Sequence, residues 1–124
     1  MKSAAFSLLE LLITLALCAI LLASTSPLYQ THIRTTYRQQ TLLTLGNGAH
    51  QLDQYYMVHH TYTQASLEDV QIHNTPQAPY RFVLLTEDTS FQLQAIPQGT
   101  QTRDRCGTLS IDNTNRIHPM DCFG

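Results

Sequence analysis

A chain of 124 residues, 13% of them charged, with a formal net charge of −2, is not a basic nucleic-acid module in bulk and has room for only one modest domain. It carries no HExxH helix, no phosphate-cradling glycine loop and no nucleophile elbow with Ser, His and Asp in order, so the sequence reads as a non-enzyme with no cofactor and no metal.

The chain opens on a five-residue, singly basic leader and an apolar run from Phe6 to Ala23, interrupted only by Ser7, Glu10 and Thr14. That run nearly fills the roughly 20 residues a spanning helix needs. Glu10 is its anomaly, because a charge at the centre of a bilayer costs about 2.5 to 3.5 kcal/mol on insertion scales. A cleaved secretory signal fits the basic start and the small residues after Ala23, but leaves Glu10 unexplained. A lipoprotein signal would use Cys18, yet Leu17 before it is bulky and the apolar stretch continues beyond. A short leader removed just before Phe6 leaves a retained hydrophobic helix with the acid near its start, and explains it.

Ser24-Thr25-Ser26-Pro27 is a polar stop whose proline should kink the helix rather than end it. Beyond it, Leu42, Leu45, Ala49, Leu52 and Tyr56 recur at spacings of three and four, while Arg34, Arg38, Gln40, Gln51 and Asp53 are polar. This predicts an amphipathic helix over 27–58 whose stripe packs on a globular region. Gly46 and Gly48 each weaken it by about 1 kcal/mol, enough to expect a bend.

From His59 to Pro79 the pattern is irregular and reads as the connection to a sheet. His59 and His60 are adjacent, cannot face one ligand from a regular element, and read as surface histidines. Three strands are predicted next, at Tyr80–Leu85, Phe91–Ala95 and Thr108–Ile111, the first two joined through Thr86-Glu87-Asp88-Thr89. Phe82, Leu84, Phe91, Leu93, Leu109 and Ile111 supply one apolar face. Gln98-Gly99 and Asp112-Asn113-Thr114-Asn115 read as turns.

Ala5-Phe6-Ser7-Leu8-Leu9-Glu10, with the apolar run and Pro27 behind it, resembles the type IV pilin N-terminus, usually Gly-Phe-Thr-Leu-Ile-Glu. Tyr29 to Leu67, and Gln98-Gly99 through Cys106-Gly107-Thr108-Leu109 to Cys122, are similar to small minor pilins of type IVa pili. Ala5 stands where the family has glycine. The resemblance implies cleavage between Ala5 and Phe6 by a prepilin peptidase and N-methylation of Phe6. Loss of Lys2 with the leader takes the formal charge to −3. The resemblance also implies storage as a single-pass inner-membrane protein with a periplasmic globular part, then transfer by a pilus assembly platform into an extracellular filament. Partners would be other pilins and minor pilins. In an apolar bundle the new amine of Phe6 could be compensated by Glu10 of a neighbouring subunit, fixing register; the alternative role for Glu10 is to complement the helix dipole at headgroup level.

The fold expected is therefore α+β: a long N-terminal helix, half membrane-spanning and half amphipathic, packed on a small antiparallel β-sheet with a C-terminal disulfide loop. The segments would be a leader at 1–5, an assembly helix at 6–26, an amphipathic helix at 27–58 and a globular region at 59–124. Such a thin core calls for a staple, and a bridge from Cys106 to Cys122 closes a loop of about 15 residues, worth roughly 3 kcal/mol by chain entropy. A metal held by Cys122 with His118 and Asp121 is the competing reading, without paired-ligand spacing to support it. Cys18 remains a free thiol in the apolar run.

The function expected is that of a minor pilin supporting filament biogenesis, adhesion, twitching motility or DNA uptake, with a type II secretion pseudopilin or a DNA-binding pilin for natural transformation as the alternatives. For DNA the candidates are Arg103, Arg105 and Arg116. Arg103 and Arg105 flank Asp104, and the competing reading is a solvated Arg-Asp-Arg loop, since phosphate binding needs several cations on one surface.

Overall fold

The computed structural model describes residues 5–122, and for Ser24 to Pro27 the backbone only. Met1 to Ala4 of the expected leader, and the side chain of Pro27 with its expected kink, lie outside the described residues. A single helix, α1, spans Leu8–His59, so the polar Ser24-Thr25-Ser26-Pro27 segment does not end it. Ser7 starts it: its Oγ accepts the Glu10 N–H at 3.1 Å and its carbonyl the Leu11 N–H at 3.1 Å, satisfying donors that a helix N-terminus otherwise leaves bare. His60 stops it in a left-handed conformation (φ 60°), its N–H returning to the Tyr56 carbonyl at 2.8 Å.

The chain divides into two compact units, one reaching to Ile33 and one beginning at Arg34. The first is the apolar part of α1. Its best 18-residue window has a mean hydropathy of 2.3, long and apolar enough to cross a membrane, and none of that window is buried within the chain.

The second unit packs the rest of α1 on a four-stranded antiparallel meander in the order β1 (Tyr80–Thr86), β2 (Phe91–Pro97), β3 (Leu109–Asp112), β4 (Ile117–His118). Thr86 pairs with Phe91 to close the first hairpin, and the Glu87 N–H donates to the Ser90 carbonyl at 2.8 Å across its turn. Alternation along the strands sends Tyr80, Phe91, Leu93, Ala95, Leu109 and Ile111 to the buried face, with Phe82 and Leu84 half-buried beside them. Leu45, Ala49 and Leu52 of α1 meet that face, flanked by half-buried Leu42 and Tyr56. The expected stripe and sheet face thus form one core.

The sheet gains a fourth strand that the sequence did not announce, because two residues are too short for an alternation to register. The connection from His60 to Pro79 is irregular, yet it contributes Tyr62, Val70 and Ile72 to the core. Tyr62 stacks on Tyr56 at 4.7 Å and meets Phe91 edge-on at 5.0 Å. Asn74, in the same connection, holds the edge strand β1 through two bonds, its Nδ2–H donating to the Phe82 carbonyl at 2.8 Å and its Oδ1 accepting the Phe82 N–H at 2.7 Å.

Gly48 has a role other than the expected weakening. A β-carbon there would stand 2.7 Å from Leu93 Cδ2 and 3.6 Å from Ile72 Cδ1, so its missing side chain lets the sheet approach the helix. Gly46 meets nothing within 4 Å. His59 and His60 are exposed, His59 stacked on Tyr55 at 3.9 Å.

Candidate functional site

Two regions carry the residues singled out from the sequence. At the N-terminus Ala5, Phe6 and Glu10 are all exposed, Phe6 at 75%. The Ser7 hydroxyl caps the helix, and the Thr14 hydroxyl donates to the Glu10 carbonyl at 2.9 Å. Helix backbone thus absorbs both hydroxyls of the apolar run, while the Glu10 carboxylate has no side-chain partner among the described residues. Ser7 and Glu10 also stand at the spacing of a capping box, a signal present in the sequence that a reading focused on the acid alone overlooks.

The second region is the segment from Gly99 to Cys106. A single 3₁₀ turn, Gly99–Arg103, begins at a left-handed glycine (φ 57°) and is followed by Asp104, Arg105 and Cys106. Its residues divide by direction. Thr102, Arg103 and Arg105 are exposed, whereas Gln101 and Cys106 are buried. The Asp104 side chain also points inward, being only 6% exposed.

Each inward residue has an anchor. The Gln101 amide donates to the Arg34 carbonyl at 2.9 Å and to the Tyr80 hydroxyl at 2.9 Å. Asp104 Oδ1 accepts from Arg38 Nη1 at 2.7 Å, in an ion pair whose arginine side chain is 10% exposed. Its Oδ2 is buried and accepts no hydrogen bond among the described residues, so Arg38 alone compensates the carboxylate. Cys106 is bonded to Cys122 with the Cα atoms 5.9 Å apart, which settles the disulfide against the metal reading of Cys122. Among the described residues no cluster of three or more metal-ligating side chains occurs. Cys18 is free and exposed.

Burial, the largest cause, pushes the Tyr80 phenol above its ordinary value of 10.0. The bond from Gln101 opposes this shift, nearby Asp104 adds to it, and Arg38 opposes it more weakly.

Two expectations change here. Arg38 does not belong to a solvated polar face; it is buried at the edge of the helix–sheet contact because it has a carboxylate to meet. The Arg-Asp-Arg loop is not solvated throughout either, since its aspartate turns inward while its arginines stay out. Arg38 was within reach of sequence reasoning, standing four residues before Leu42 on the same stripe. Gln101 carried no such signal.

Arg116 is not part of this cluster. It follows β3 in the β3–β4 turn, whereas Arg105 precedes β3, so the two lie at opposite ends of that strand. At its own end the Asp112 carboxylate accepts from the Thr114 N–H at 2.9 Å, the Thr114 hydroxyl at 2.5 Å and the Arg116 N–H at 3.2 Å. These bonds, the Thr114 hydroxyl first, hold Asp112 below its ordinary value of 3.8.

A family model described as type IV minor pilin ComP, DNA uptake sequence receptor, matches residues 27–110, 84 of the chain's 124. The chain belongs to this family. Upstream, a model of the prokaryotic N-terminal methylation motif matches residues 1–26. The fold of this minor pilin is similar to that of a type IV pilin from Shewanella oneidensis, with 24% identity, 77% of this chain and 98% of that chain covered, and a TM-score of 0.55. It is also similar to the non-core minor pilin PilV of Neisseria meningitidis, with 18% identity, 69% and 85% covered, and a TM-score of 0.57. No curated protein matches the chain. This minor pilin is therefore a subunit of a type IV pilus, and its apolar N-terminal helix suits a membrane-anchored pilin that is then assembled.

Proposed function

We propose that this minor pilin binds double-stranded DNA for uptake through the Gly99–Cys106 segment, with Arg103 and Arg105 as the phosphate contacts. The observation that carries the reading is the exposure of two arginines on a segment anchored through Gln101, Asp104 and Cys106. The family description, a receptor for a DNA uptake sequence, supports the same reading. Their neighbours Arg38 and Asp104 neutralise one another, so the outward charge of the segment is that of the two arginines. Arg116, at the far end of β3, would contribute only to DNA long enough to cross the sheet.

Assembly forms the other half of the proposal. A prepilin peptidase removes residues 1–5 and Phe6 is N-methylated; the methylation-motif match supports this. The subunit waits in the inner membrane with its globular part in the periplasm, and the assembly platform moves it into the pilus. There Glu10 compensates the Phe6 amine of a neighbouring subunit. What supports that role is a carboxylate in an apolar, wholly unburied window with no side-chain partner among the described residues.

The decisive experiment is DNA binding by the full mature chain in detergent micelles, measured over a range of salt. Each phosphate contact contributes about 0.9 to the slope of log affinity against log salt. Replacing Arg103 and Arg105 with Gln should lower affinity and reduce the slope by about two. Binding that is absent, or insensitive to salt and to these replacements, removes the DNA reading.

A further inference from the structure

Arg103 and Arg105 can act as a pair only if the backbone between them is held, since two arginines on a free loop would lose conformational freedom on meeting two phosphates. The residue between them is Asp104, and its side chain is spent on helix α1 rather than on the surface. Three residues earlier, Gln101 bonds the Arg34 carbonyl, one helical turn before Arg38. Two successive turns of α1 therefore hold the segment, at Arg34 through a neutral bond and at Arg38 through a buried charge pair. Cys106 fixes its far end. Inward and outward residues alternate over 103–105, so one inward bond from Asp104 sets the direction of both arginines.

We infer that Arg38, with Gln101, is a positioning residue for DNA binding: it touches no DNA, and through Asp104 it holds Arg103 and Arg105 in one outward orientation. This inference rests on the DNA reading proposed above. Its chemistry sets it apart from a general structural role. Among the described residues Asp104 has a single partner for its charge and its second oxygen has none, so removing Arg38 leaves a buried carboxylate unpaired while Gln101 and Cys106 keep their own contacts. The sheet, in contrast, is held by its own ladders and by the Leu45, Ala49 and Leu52 stripe.

The experiment uses the full mature chain in detergent micelles, with Arg38→Met and Asp104→Asn made separately. Asp104→Asn keeps the shape of the side chain and removes its charge, and so reports on the latch if Arg38→Met loses its fold. Amide hydrogen exchange of segment 99–106 is compared with that of β2, and the affinity of a DNA duplex is followed against salt. The expected result is exchange at 99–106 faster by tenfold or more with β2 still protected, and affinity down several-fold with the salt slope unchanged, because both contacting arginines remain. Arg38→Lys, which keeps the charge, should recover part of the affinity. A variant whose 99–106 segment stays protected, or whose released segment binds DNA as tightly as the unaltered chain, overturns the inference. A fall in salt slope for Arg38→Met equal to that for Arg103→Gln overturns it too, by making Arg38 a contact. Absence of DNA binding by the unaltered chain instead overturns the underlying reading, whatever the exchange data show.

Discussion

The Leu93 side chain fills the space above Gly48, with its Cδ2 2.7 Å from where a β-carbon on that glycine would stand. Leu93 is fully buried and so has little room to retreat. Gly48→Ala should gain about 1 kcal/mol in helix propensity and lose more through overpacking, which costs roughly 1 to 3 kcal/mol. Gly46→Ala meets nothing and should keep the gain. Thermal unfolding of the two variants should therefore move in opposite directions, with Gly46→Ala the more stable.

Glu10→Val removes the one carboxylate of the apolar run and leaves the Ser7 cap in place. The subunit should insert, fold and keep its helix content, yet be absent from sheared pili. Normal incorporation would show that the Phe6 amine is compensated by something other than Glu10.

Cys106 and Cys122 close the loop that carries β3 and β4. Replacing both with Ser should cost about 3 kcal/mol by the chain-entropy relation. Denaturant unfolding of oxidised and reduced chains should show the same difference for the unaltered protein and none for the variant.

The alkaline limit of stability should reflect Tyr80. Its phenol is raised in the folded chain, so the folded state holds that proton more tightly than the unfolded state. The contribution is complete below the ordinary value of 10.0 and is lost as pH rises from there through the higher folded value. Tyr62 is raised in the same direction, by burial first and then by Asp53. Melting temperature should fall with pH above about 10, and less steeply in Tyr80→Phe. Asp112 has the opposite sign: its contribution is present above 3.8 and lost as pH falls through its depressed folded value, so Asp112→Asn should flatten the acid limb.

Much of this architecture was legible in the residues themselves. Leu42, Leu45, Ala49, Leu52 and Tyr56 mark a helix stripe, and Phe91, Leu93 and Ala95 alternate cleanly, because core packing writes its period into the chain. The candidate site was only half legible. Arg103 and Arg105 stand out as charges, but the inward turn of Asp104 depends on Arg38, 66 residues away, and no local pattern encodes that meeting. Gly48 looked like a weakness for the same reason, its benefit lying in Leu93 of another element. The β4 strand escaped because it is defined by its partner β3 rather than by its own two residues.

Asn74 gives β1 a substitute neighbour one residue long. By occupying both main-chain groups of Phe82, it interrupts the ladder that an open sheet edge would offer to another chain. In a pilus subunit that interruption denies a second copy the continuous run of main-chain groups along β1 that edge-to-edge pairing needs.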